Sequence, residues 1–154
     1  MKEKYIRIIK GLISESFPTL RNKKIYVFVL SFRYYACSIW FPPFIRFIAV
    51  SKRSRRFNDY ILQGLLAHEL CHQERYIEMG VINYLRFVFK FFTSKAVRTN
   101  EENAIDRLVI KKDYAKQLYE LSKIKHQDRK HEKINKFYLS LDEIKSYAKK
   151  IGKW

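Results

Sequence analysis

The sequence predicts an α+β fold: a small antiparallel sheet packed on a histidine-bearing helix and an acidic helix, with further helices at both ends of the chain. Three observations carry it. Three short runs rich in β-branched and aromatic residues are crowded between positions 24 and 51. A long stretch with helical periodicity follows, containing His68 and His72. Apolar residues recur at helical spacing in the terminal segments.

Taken in order, residues 2–16 place Tyr5, Ile6, Ile8, Ile9, Leu12 and Ile13 on one face, an amphipathic helix that would back the sheet and end before Pro18. The strand runs are 24–32, 34–41 and 44–51. Pro42-Pro43 separates the last two, so a turn belongs there, and a meander feeding the next helix is the simplest path. That helix is read from Asn58 to Met79, with Asn58 or Asp59 as its N-cap and Ile61, Leu62, Leu65 and Leu66 as its core stripe. Gly80 is a natural stop, since it takes a left-handed conformation without a Cβ penalty. A second helix is expected around Thr99 to Ile110, and Ser140 with Glu143 reads as the capping box of a last helix running to Lys150.

Within the first of these helices, His68-Glu69-Leu70-Cys71-His72 spells HExxH. Histidines four apart stand one above the other on a helix face, so both imidazoles can reach one metal ion and the glutamate between them can reach a water on it. Cys71 is offset from that face and suits helix packing. A catalytic zinc normally takes three protein ligands and leaves the fourth position to water. Downstream, Glu102 and Asp106 are also four apart on a predicted helix. Glu102 is the candidate third ligand. Asp106, one turn on, would accept the second imidazole N–H of a ligand histidine. Glu101, whose partner at the same offset is Ile105, is expected to face solvent or cap the helix start after Thr99.

HExxH followed by ExxxD resembles the gluzincin clan of zinc metallopeptidases, which includes thermolysin and the membrane-embedded HtpX-like peptidases. At 154 residues the chain is most similar to the minigluzincins, small proteins resembling the catalytic core of HtpX-like enzymes without membrane helices. The resemblance spans residues 24–121, and its specific part is the two motifs. It implies one Zn2+ per chain on His68, His72 and Glu102, Asp106 supporting them, and Glu69 as general base in peptide hydrolysis. It also implies a peptide or unfolded-protein substrate laid along an edge strand, and gives that place to the third run, 44–51. A donor for the oxyanion is left open among His126, His131 and Tyr138, the histidines reading as solvated surface residues amid lysines and arginines.

Composition suits a single domain spanning 1–154 with a moderate core. Cys37 and Cys71 make no disulfide framework, and neither a signal peptide nor a membrane-spanning run is read, so a soluble cytoplasmic protein is expected. The net charge of +17, from 32 basic and 15 acidic residues, is not accounted for by peptidase chemistry. Lys52, Arg53, Arg55 and Arg56 form a basic cluster suited to an anionic surface, nucleic acid or lipid; the alternative is a solvated face. Two rival functions follow. One is a DNA-associated SprT-like metallopeptidase, which the HELCH helix resembles, although no histidine lies between His72 and His126 to supply the third ligand usual there. The other is a non-catalytic, zinc-stabilised basic binding protein, in which Glu69 would have no task.

Residues 81–92 are dense in aromatics with basic punctuation. Core packing, a homo-oligomer interface or peripheral membrane contact would each use them. Trp154 on its short tail is a candidate to fold into the cleft and confer latency.

Overall fold

Strand β3 (Ile45–Ser51) carries apolar residues on both faces and is buried from Ile48 to Ser51, so it can only be satisfied with a neighbour on each side. The computed structural model, which describes residues 2–128 and 136–154, places it at the centre of a three-stranded sheet ordered β1-β3-β2. β1 (Ile25–Leu30) alternates exposed with more buried positions, the pattern of an edge strand, and runs parallel to β3. β2 (Ala36–Phe41) pairs antiparallel with β3 through the Pro42-Pro43 turn, in the register Ala36 to Val50 and Phe41 to Ile45.

The α+β class is as expected, but the sheet is mixed and not a meander. The five residues 31–35 carry the chain past the end of β3, a distance they span easily since two strand spacings are roughly 10 Å. Ser51 holds this connection down: its N–H donates to the Tyr35 carbonyl at 2.8 Å and its hydroxyl to the Phe32 carbonyl at 3.1 Å. The third run is therefore the central strand, with no free edge for a peptide.

Helix α1 (Lys2–Ser16) buries Tyr5, Ile8, Ile9 and Leu12 and lies against β1 and the next helix. That helix, α2 (Asp59–Thr93), starts at Asn58, whose side chain accepts from the Ile61 N–H at 2.9 Å. It is broken at Gly80, where φ is 68° and ψ is 174°, so the expected stop falls where the glycine predicts it and a second helical arm, 81–93, begins at once. Ser94 caps α3 (Lys95–Lys111). α4 (Ala115–Gln127) and α5 (Leu141–Lys150) follow among the described residues, α5 entered through the Ser140/Glu143 capping box.

The first arm of α2 is the hub, in contact with α1, α3, α4 and β2. Leu62, Leu65, Leu66, Ala67, Leu70 and Cys71 are buried along it, Cys71 as a packing residue. α4 approaches closely because Gly64 has no side chain: a Cβ there would meet the Gln117 backbone at 2.7 Å. This packing delivers the histidine face of α2 to the acidic face of α3.

Candidate metal centre

His68 and His72 project from the same face of α2, and Glu102 meets them from the second turn of α3. The Glu102 carboxylate Oε2 lies 3.1 Å from His68 Nε2 and 3.5 Å from His72 Nε2, and one ligand atom from each of the three residues falls within 4.8 Å of the others. All three are buried. Asp106 accepts from His68 Nδ1 at 3.0 Å, which orients the ring so that Nε2 faces Glu102, its hydrogen-bond partner in the metal-free protein. Its other oxygen accepts the Leu139 N–H at 3.0 Å, so Asp106 is itself held.

The donor set fits a divalent cation. Two imidazole nitrogens and a carboxylate oxygen aimed at one point from buried positions are the ligand types of catalytic zinc. Electrostatics agree. Burial alone would push the Glu102 carboxyl up and the His68 imidazole down. Instead, the hydrogen bonds and charge between them hold Glu102 well below the usual carboxylate range, and those from Asp106 and Glu102 raise His68 to about 9. These residues can bind a metal ion.

Glu69, between the histidines in sequence, is buried, and desolvation raises its pKa against the opposing pull of His68 and His72. It borders a cavity of about 20 Å³ shared with His68, Tyr34, Lys125 and Tyr138, a volume on the scale of one water. Every predicted site residue thus converges: His68, Glu69, His72, Glu102 and Asp106. Of the three oxyanion candidates, Tyr138 reaches the cavity, its ring 5.7 Å from that of His68. His126 is exposed and its Nδ1 lies 2.7 Å from the Ser122 carbonyl of its own helix; His131 is outside the described residues. Sequence reading missed Lys125. Buried at the cavity, with its ammonium 4.0 Å from the Tyr138 ring centre, it stands in a charged run that reads as solvated surface.

Two expectations are corrected. Glu101 is buried, paired with Arg75 at 3.4 Å, because α3 begins four residues before Thr99 and the arginine on α2 reaches across. Trp154 packs edge-on against Tyr119 of α4, its ring centre 5.2 Å away, and does not enter the site.

The strand beside the site is β2, and its outer edge is partly covered. The Trp40 N–H donates to the Tyr84 hydroxyl at 3.2 Å, and the Tyr76 hydroxyl donates to the Ser38 carbonyl at 3.4 Å. Trp40, Tyr76 and Tyr84 form a buried cluster that binds the second arm of α2 to this edge. Beneath it, Arg46 donates to Gln73 Oε1 at 3.1 Å and stacks over Trp40, while the Gln73 amide donates to the Ser38 hydroxyl at 2.7 Å.

Of the basic cluster, Arg53 and Arg56 both pair with Asp128 and stack on Tyr35, whereas Lys52 and Arg55 are exposed. Among the described residues no helix is long and apolar enough to cross a membrane. No family model, curated protein or solved structure matches the chain.

Proposed function

We propose that the chain is a zinc-dependent endopeptidase of gluzincin type. The observation that carries this reading is the meeting of His68, His72 and Glu102 from two helices, with Glu69 at an adjacent cavity and Asp106 behind His68. A site built only to bind metal for stability has no use for that extra buried carboxylate. His68, His72 and Glu102 would hold the zinc, which would supply the Lewis acidity needed to activate water near neutral pH and to polarise a carbonyl.

The chain's own groups do the rest. Glu69, its pKa raised by desolvation, takes the proton of the attacking water and delivers it to the leaving amine. Tyr138 donates to the developing oxyanion. Burial and the nearby carboxylates Glu102, Glu69 and Asp106 hold its hydroxyl well above the ordinary tyrosine range, so it remains a donor throughout. Substrate backbone pairs with the edge of β2, as β3 is enclosed. Tyr76 and Tyr84 already occupy groups on that edge, so substrate pairing there would have to displace them.

Zinc content and cleavage of an unfolded protein such as casein test the reading together. Wild type is expected to carry one zinc per chain and to cleave. Glu102→Ala should lose the zinc, and Glu69→Gln should keep it and lose cleavage. Zinc retained in Glu102→Ala, or cleavage undiminished in Glu69→Gln, would refute it.

A further inference from the structure

The second arm of α2, residues 81–93, has two apolar sides. One, led by Tyr84 with Phe87 and Val88, packs on Trp40 and Tyr76. The other has no partner element among the described residues. Val81, Ile82, Leu85, Phe89 and Phe92 fall within one arc of the helix and are exposed, Ile82 at 68%, Phe89 at 72% and Phe92 at 81%. Arg86 and Lys90, both exposed, flank that arc on its solvent side. From Met79 to Asn100 there are four basic residues, Arg86, Lys90, Lys95 and Arg98, and no acidic one. Beside the arm, the β2–β3 turn exposes Phe41 and Phe44, joined to it through the contact of Trp40 with Tyr84, ring centres 4.9 Å apart.

We propose that this arm docks on the surface of an anionic lipid bilayer, its exposed apolar arc in the interface and Arg86 and Lys90 against the headgroups. The charge selects the occupant. A helix with a cationic flank beside an apolar arc of leucine and phenylalanine has the composition of helices that lie in a membrane interface. A second copy would bring the same cations together about a two-fold axis, with no acidic side chain in the segment to neutralise them. Nucleic acid would suit the cations but leave Ile82 and Leu85 in water. Anchorage through Tyr84 makes the arm a fixed platform, and the inference does not depend on the metal centre.

Sedimentation of the full chain with vesicles tests it. Wild type should pellet with vesicles of equal parts phosphatidylcholine and phosphatidylglycerol, and not with phosphatidylcholine alone. The variant Ile82→Ser/Leu85→Ser/Phe89→Ser, altered only at exposed positions and checked for an unchanged circular dichroism spectrum, should lose binding. Arg86→Gln/Lys90→Gln should weaken it by about tenfold or more, as expected for two cations at an anionic surface. No pelleting of wild type with anionic vesicles would overturn the proposal. Undiminished binding by the serine variant would also overturn it, since the general charge of the chain would then account for adsorption. So would a wild-type dimer in analytical ultracentrifugation that the serine variant abolishes, because a second copy would then cover the arc.

Discussion

His68 and Asp106 are joined by a 3.0 Å hydrogen bond between Nδ1 and a carboxylate that is itself held by the Leu139 N–H. The backbone before α5 thereby orients an imidazole on α2. Replacing Asp106 with asparagine, which can present an N–H to Nδ1, should lower zinc affinity by about 10- to 100-fold. Competition with a chromophoric chelator measures it. Unaltered affinity would mean that the Glu102 contact alone orients His68.

Metal uptake should be steeply pH-dependent. With His68 raised to about 9 by Asp106 and Glu102, the metal-free site holds a proton that the metal must displace. Affinity is expected to climb from pH 6.5 to about 9, with proton release seen calorimetrically in buffers of different ionisation enthalpy. In the metal-free protein the sign is opposite. A histidine whose folded pKa exceeds its unfolded value of 6.5 contributes stability that is fully present below 6.5 and disappears as pH rises through about 9. Metal-free thermal stability should fall over that window, while metal-loaded stability should not.

Tyr138→Phe keeps the ring against His68 and removes the donor. Turnover is expected to fall by about 10²- to 10³-fold, with zinc content unchanged. A change confined to KM would assign the hydroxyl to substrate binding instead.

The edge of β2 gives a separate prediction. Tyr84→Phe deletes the acceptor of the Trp40 N–H at a cost of about 1 kcal/mol. Hydrogen exchange at the Trp40 amide should accelerate, and cleavage of unfolded protein should increase as the edge becomes available. Faster exchange without faster cleavage would place substrate elsewhere.

Gly64→Ala sets two effects against each other. Alanine favours the helix by about 1 kcal/mol. The new Cβ, however, meets the Gln117 backbone at 2.7 Å, and backbone cannot rotate away as a side chain would, so overpacking of about 1–3 kcal/mol should prevail. Chemical denaturation should show net destabilisation. Greater stability would mean that α4 is free to shift.

The candidate metal ligands were legible in the sequence because helical spacing is a local property. Positions four apart share a face wherever the helix lies, so His68 with His72, and Glu102 with Asp106, could each be paired before any fold was known. The same locality exposed α1, the Asn58 and Ser140 caps and the break at Gly80. Strand composition indicated three strands, but not that β3 is central and parallel to β1, because parallel pairing leaves no turn signature and depends on burial of both faces. Only tertiary packing buried Glu101 against Arg75, brought Lys125 and Tyr138 from a charged tract to the cavity beside Glu69, and sent Trp154 to Tyr119. Those partners lie far apart along the chain, and no local period records which surfaces will meet.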